Sequence, residues 1–489
     1  MKKHLNPMLL ADFYKISHRS MYPKGTELVY STWTPRASRL DGIDTVVVFG
    51  LQHFVKEYLI DYFNQNFFKR PKKDIVEDYK RLIKNTLGDN NPDTKHIEDL
   101  HDLGYLPLSI KALPEGSVVP LRVPTMTIHN TDKRFFWLTN YIETLASCEL
   151  WQPSTSATIA KQYKTILDHF AMETVGNTGF VPFQGHDFSM RGMSTLSSSI
   201  TSGMGHLTSF VGTDTIPSIQ SLEKFYNANV EKELVGTSIP ATEHSVECCY
   251  ADDMEYFRKL ITEVHPTGLV SIVSDGYDFW KVITEVLPAL KDIIMARDGK
   301  VVVRPDSGDP EKILCGDPKS NVEHIRKGTV ECLYEIFGGT VTDKGFKLLD
   351  SHIGLIYGDA ITLKRAESIS QNLMLKGFAS INTVYGIGSF TYQFNTRDTF
   401  GYALKSTLCV INGKEIPIFK DPVTDTDKIK KSQKGRVAVL KDDKEGFKLV
   451  DGLSLDDVIK NDCLVEVFRN GKLLVDEKLS DIRERLNNY

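Results

Sequence analysis

Val301-Val302-Val303-Arg304-Pro305-Asp306-Ser307-Gly308 reads as a short buried β-strand that breaks off in a tip carrying a cation, a carboxylate and a glycine. Three other runs in the second half of the chain end alike. Gly268-Leu269-Val270-Ser271-Ile272-Val273 gives way to Ser274-Asp275-Gly276, and Ile353-Gly354-Leu355-Ile356-Tyr357 to Gly358-Asp359. Ser380-Ile381-Asn382-Thr383-Val384-Tyr385 gives way to Gly386-Ile387-Gly388-Ser389. A helix-like stretch follows each of the first three tips. Carboxylates and glycines at the ends of successive buried strands predict an α/β barrel that gathers a phosphorylated sugar and a metal ion at one face. An enzyme is the leading expectation.

Outward from this core, 489 residues exceed one ordinary domain. Residues 1–150 mix strands (Glu27 to Trp33, Leu106 to Pro114, Met126 to His129) with helices near 50–65 and 68–100, an α+β pattern. Amphipathic helices are expected over 134–149 and, after a Ser/Thr-rich cap, over 154–174. The barrel segment is drawn as 151–390, with helices at 245–264, 278–296, 321–337 and 361–375. Leu207 to Val211 looks like a further strand before Gly212-Thr213-Asp214-Thr215. Over 391–489 strands return (Thr407 to Ile411, Val437 to Leu440, Leu464 to Phe468). The basic run Lys428, Lys430, Lys431, Lys434, Arg436 reads as a solvated loop, with phosphate contact as the alternative.

Net charge is −5, so no general basic field attracts nucleic acid or anionic membrane, and phosphate binding requires a local cation cluster. No run of about 18 apolar residues is present to span a membrane. The first residues, MKKHLNPMLLADFYK, hold too short an apolar run for a signal peptide. Seven scattered cysteines without a CxxC argue against a zinc site or a disulfide framework and for a reducing cytoplasm. Walker A, HExxH and GxSxG sequences are absent, and Gly386-Ile387-Gly388 lacks the third glycine of a dinucleotide fingerprint.

Four constellations carry chemistry. At the Arg304 tip the guanidinium suits phosphoryl oxygens, and the Asp306 carboxylate suits hydroxyls or magnesium; a capped turn with a surface ion pair is the plainer alternative. Pro240-Ala241-Thr242-Glu243-His244-Ser245 precedes a helix, with Ser245 as the expected N-cap, so His244 sits at the helix entrance. There it can donate to phosphate or carry a proton while Asp275 fixes its tautomer. Phe188 can stack on a flat heteroaromatic ring and Arg191 can bind phosphate. Asp214 can accept from an amide, and the backbone at Gly386 to Ser389 can cradle a terminal phosphate.

Taken in order, these segments resemble the nicotinamide phosphoribosyltransferase family. The landmarks are Leu10 to Lys15 with His18, His186-Asp187-Phe188 with Arg191-Gly192, Gly212 to Thr215, Pro240 to Ser245, and Ser274 to Asp278. Arg304 to Gly308, Gly358-Asp359, Thr396-Arg397-Asp398 and Phe419 to Pro422 complete the set. The resemblance implies a type II phosphoribosyltransferase α/β barrel plus an α+β sandwich domain formed from both chain ends, working as a homodimer with active sites at the subunit interface. It implies transfer of phosphoribosyl from phosphoribosyl pyrophosphate to nicotinamide, with Mg²⁺, and with ATP hydrolysis coupled through a phosphohistidine at His244 oriented by Asp275. By the same resemblance Phe188 and the partner subunit's Tyr14 sandwich the ring, and Asp214 takes the amide. Asp306 and Asp359, beside Gly358, hold ribose hydroxyls. Gly388 and Ser389 face the 5′-phosphate, and Arg191, Arg304, Arg36, Arg397 and Lys405 bind phosphate and pyrophosphate.

Two departures stand out. Ser389-Phe390 replaces glycines of the family pattern at the phosphate loop, and Phe390 is expected to narrow it. Gly354 replaces a larger basic residue and is expected to widen the tunnel toward the pyridine. Nicotinate phosphoribosyltransferase is the nearest rival, and Asp214 separates the two, because it would face the carboxylate of nicotinate as a like charge. A non-catalytic nucleotide sensor of the same fold and a sugar-phosphate aldolase or isomerase are the remaining alternatives. The first is opposed by intact His244, Asp275, Arg304, Asp306 and Asp359, the second by the lack of a strand-end lysine.

Overall fold

The computed structural model of the protein describes residues 5–358, 360–419, 433–444 and 446–489. Lys428, Lys430 and Lys431 of the basic run lie outside them. Two compact units emerge, one of Met1–Thr158, Ser221–Ala228 and Asn395–Tyr489, the other of Ile159–Gln220 and Asn229–Phe394.

The second unit is built on six parallel strands: β1 (Gly185–Asp187), β2 (Gly212–Thr213), β3 (Val270–Val273), β4 (Val301–Arg304), β5 (Ile353–Tyr357) and β6 (Val384–Ile387). Their spatial order is β2-β1-β6-β5-β4-β3. In β3 every residue is buried, and in β4 Val301 to Val303 are, as expected of strands covered on both faces. The gap between β2 and β3 is bridged by residues 237–242. Thr213 N–H donates to Thr237 O (2.9 Å) and Thr237 N–H to Val211 O (2.7 Å); on the other side Ser271 N–H donates to Pro240 O (2.8 Å) and Thr242 N–H to Ser271 O (3.0 Å). Both bridges run parallel, so the backbone hydrogen bonding closes into a ring. All strands point the same way, and their carboxyl ends therefore share one face.

Helices wrap this ring. Over 279–295, Phe279, Ile283, Val286, Leu287 and Leu290 are buried, the face that the 3.6-residue period marks. Elsewhere the expectations need correction. Leu207 to Val211 is not a strand: it is a turn after the helix Leu196–His206, and only Gly212–Thr213 is extended. Ser245 is not the cap of the helix His244–Glu247. Glu243 is, and the Ser245 hydroxyl donates to the Glu243 carboxylate.

In the first unit a seven-stranded antiparallel sheet draws on both chain ends. Thr26–Thr34 pairs with Ala403–Ile411, and Leu108–Ala112 with Val465–Arg469. The expected cap near 154 is absent: Glu143–Thr174 runs on as one helix with Pro153 inside it. There the Ser154 hydroxyl donates to Val47 O (2.5 Å) instead of capping a helix start. Among the described residues, no helix is long and apolar enough to cross a membrane.

Candidate active site

The carboxyl ends of the ring strands line a cavity of about 780 Å³ that includes Phe188, Arg191, Asp214, Thr242, Glu243, Arg304, Asp306, Gly358, Gly388, Ser389 and Phe390. Alternation along β1 and its extension places His186 and Phe188 on one face and Asp187 on the other. Asp187 is fully buried, accepting from Ser189 N–H (2.9 Å) and the Thr215 hydroxyl (2.7 Å), and so shapes the loops without reaching the cavity. Phe188 lies over Gly386, where an added Cβ would come within 2.6 Å of its ring. A glycine is required at that point for the ring to sit there.

Two carboxylate–histidine pairs flank the ring closure. In one, His186 Nε2 lies 2.9 Å from Asp214 Oδ1, and the Ser238 hydroxyl donates to the same oxygen at 2.7 Å. Burial works to push Asp214 up, but these donors, helped by Arg304, hold it below the ordinary carboxylate range. In the other, His244 Nε2 lies 3.1 Å from Asp275 Oδ1, while Asp275 Oδ2 accepts from Asp306 N–H at 3.0 Å. Burial again opposes ionisation, yet hydrogen bonds from Ser307, the Asp306 backbone and His244 keep Asp275 low. Asp275 therefore ties the β3 tip to the β4 tip. Arg304 Nη2 donates to Thr242 O (2.7 Å) and stands 3.8 Å from Asp306 Oδ2, so the guanidinium is fixed between the closing segment and its own tip. At Gly358 an added Cβ would lie 2.1 Å from Asp306 Oδ1, so the β5 tip needs glycine to let that carboxylate in. Asp359 lies outside the described residues.

Ser389 fits beside Gly192, where a Cβ would come within 2.0 Å of its hydroxyl. Phe390 lines the cavity but is 61 % exposed and stacks on Phe394, with ring centroids 5.6 Å apart. Gly354 lines a second, largely apolar cavity of about 220 Å³ within the ring, which Phe188 and Asp214 also border. The space over Gly354 is occupied from the neighbouring strand, since the Lys300 side chain lies 3.0 Å from where a Cβ would stand.

Tyr14, Arg36, Arg397 and Lys405 belong to the first unit. Tyr14 and Lys405 line a cavity there of about 450 Å³ with Lys15, His18 and Glu143. Arg36 donates to Gly401 O (2.8 Å); burial and then the nearby Arg397 charge lower its pKa. Sequence reasoning missed His186 and Ser238 as polar partners of Asp214. His186 had a signal, two residues before Phe188 on a strand. Ser238 had none, because Pro240 and the polar residues around it hide the strand-like role of 237–242.

The family model described as the nicotinate phosphoribosyltransferase (NAPRTase) family matches residues 183–472, and that of the nicotinamide phosphoribosyltransferase N-terminal domain matches residues 6–110. A nicotinamide phosphoribosyltransferase of Acinetobacter baylyi is 50 % identical over 500 residues, covering 99 % of this chain and 98 % of the relative. One of Xanthomonas campestris is 34 % identical, covering 98 % and 97 %. Another, of Mycoplasma pneumoniae, is 35 % identical, covering 87 % and 94 %. Among solved structures, the fold is similar to a nicotinate-nucleotide pyrophosphorylase of Pyrococcus furiosus (TM-score 0.58, 15 % identity, 100 % of this chain and 96 % of that one). It is equally similar to human nicotinic acid phosphoribosyltransferase (TM-score 0.58, 13 % identity, 98 % and 93 %). Both are likenesses of fold.

Proposed function

The chain belongs to the nicotinamide phosphoribosyltransferase family, and from that premise we propose that it transfers the phosphoribosyl group of phosphoribosyl pyrophosphate to nicotinamide, giving nicotinamide mononucleotide and pyrophosphate. The observation that carries the choice of base is Asp214. Both of its donors, His186 and Ser238, converge on Oδ1, which leaves Oδ2 as acceptor for an amide N–H beside the Phe188 ring. Nicotinate would bring a second anion to that point in a partly dry pocket.

The remaining groups fit the reaction. As pyrophosphate leaves, positive charge builds on the ribose, and the Asp306 carboxylate at the β4 tip is placed to stabilise it, with Asp359 as its expected companion. Arg304, Arg191 and the backbone at Gly388 and Ser389 take phosphoryl oxygens. The pyridine nitrogen is already nucleophilic and needs no general base. Among the described residues no three His, Cys, Asp or Glu side chains converge on a metal site. Magnesium, bound with the pyrophosphate substrate, would offset charge on the leaving group.

His244 donates its Nε2 proton to ionised Asp275, which leaves the Nδ1 lone pair to accept a phosphoryl group from ATP. We assign it as the coupling phosphohistidine. The protein works as a homodimer in which the partner subunit's Tyr14 covers the base. In support, Phe13, Tyr14 and Met21 leave the helix Phe13–Met21 with an apolar surface more than half exposed. All seven cysteines are free, in keeping with the cytoplasm.

The test is mononucleotide formation from phosphoribosyl pyrophosphate and magnesium with each base. A kcat/KM for nicotinamide far above that for nicotinate is expected. Equal values would reject the assignment of the base, and no product with either would favour a nucleotide sensor.

A further inference from the structure

Glu247 has no part in the chemistry above, yet it ends the short helix His244–Glu247 that begins with the phosphoryl acceptor. Its side chain is 1 % exposed, and neither carboxyl oxygen makes a well-formed hydrogen bond. A buried carboxyl in that state is far cheaper neutral than ionised. Burial pushes Glu247 up to about 7, and the backbone N–H of Gly276 only partly opposes this. The contact with Gly276 is intimate: a Cβ added there would lie 2.3 Å from Glu247 Oε2. Gly276 directly follows Asp275. The helix thus rests on one loop at both ends, through His244 on Asp275 and through Glu247 on the next peptide.

The charges around Glu247 favour the neutral form. Asp253 on the helix Asp253–Lys259 and Asp275 on the loop are anions that raise it, and His244 on its own helix acts in the opposite sense only when protonated. Tyr277 of the loop and Tyr256 of the helix also lie within electrostatic reach of it, and Lys281 bears on Asp253. Asp253 is itself pushed up, by burial first and then by Asp252.

We propose that Glu247 is a positioning residue for His244 that works as a neutral acid, holding the helix on the Asp275–Gly276 loop, and that ionising it releases the helix and uncouples ATP from turnover. A second anion buried beside Asp275 cannot stay dry, so the carboxylate separates from Gly276 to reach water, and His244 leaves Asp275 with it. The inference rests on His244 being the phosphoryl acceptor.

The experiment compares the rate with ATP to the rate without it, between about pH 6 and 8, in the full-length wild type, Glu247→Gln and His244→Ala. In the wild type the ratio is expected to fall about tenfold, as the neutral fraction of a group titrating near 7 does across that interval. Glu247→Gln, which cannot ionise, is expected to hold its ratio within about twofold over the same range. A purely structural role for Glu247 would alter the level of the ratio and not its pH dependence. A flat wild-type profile, or a Glu247→Gln profile that falls with the wild type, overturns the proposal. If Glu247→Gln does not fold, Glu247→Met must give the flat profile. Stimulation by ATP that persists in His244→Ala would instead reject the phosphohistidine reading.

Discussion

The two carboxylate–histidine pairs are inverted copies of each other. In the pair at the ring closure, His186 is 11 % exposed and Asp214 44 % exposed; at the β3 tip, His244 is 47 % exposed and Asp275 3 % exposed. In each, the buried member fixes the exposed one, and the exposed member is the one we propose to meet a substrate. A carboxylate turned outward can accept from an amide; an imidazole turned outward can take a phosphoryl group. The same two residue types thus do opposite jobs, and burial decides which.

Removing the charge proposed to face the base tests this comparison most severely. Asp214→Asn is expected to lower the preference for nicotinamide over nicotinate by about a hundredfold, since a like-charge penalty of a few kcal/mol is removed. An unchanged ratio of kcat/KM values would mean that the exposed carboxylate does not read the base. Because Asp214 is held below the ordinary carboxylate range, it stays ionised at neutral and mildly acidic pH. The wild-type preference should therefore persist throughout the neutral and mildly acidic range, and its loss by pH 6 would contradict that assignment.

Removing the exposed histidine of the other pair should act on coupling alone. His244→Ala is expected to lose ATP stimulation and the acid-labile label left on the protein by γ-labelled ATP, while slow ATP-independent synthesis continues. Label that survives the substitution would place the phosphoryl acceptor elsewhere. The smallest effect should come from a single supporting donor. Ser238→Ala removes one hydrogen bond to Asp214 and should raise KM for nicotinamide about fivefold, equivalent to about 1 kcal/mol. A change confined to kcat would argue against ground-state positioning.

The strand tips were legible because a buried strand and the polar residues that end it are neighbours in sequence. Val301 to Gly308 shows both hydrophobic run and tip in eight residues, and the tips at 274–276 and 386–389 do the same. Antiparallel pairing of the two chain ends was not readable from local pattern, since Thr26–Thr34 meets Ala403–Ile411 across most of the chain. That expectation came from resemblance. Two expected elements failed for physical reasons. The Ser/Thr-rich stretch from Ser154 looked like the cap of a new helix, but a proline costs one backbone hydrogen bond, and burial of the flanking turns keeps one helix running through Pro153. At Leu207 to Val211 the β-forming residues belong to a buried turn, and so short a mixed segment does not distinguish strand from turn.

By itself, then, the sequence determined the α/β class and the polar residues that end each buried strand, because these depend on short-range pattern, and it offered Asp275 as one carboxylate able to partner His244. Tertiary structure decided the rest. It closed the ring through 237–242, a segment whose Pro240 and polar residues carry no strand period. It also brought Ser238 and His186 onto one oxygen of Asp214. And it buried Glu247 against Gly276, since whether a glutamate three residues after a histidine meets water or a peptide depends on what folds over it.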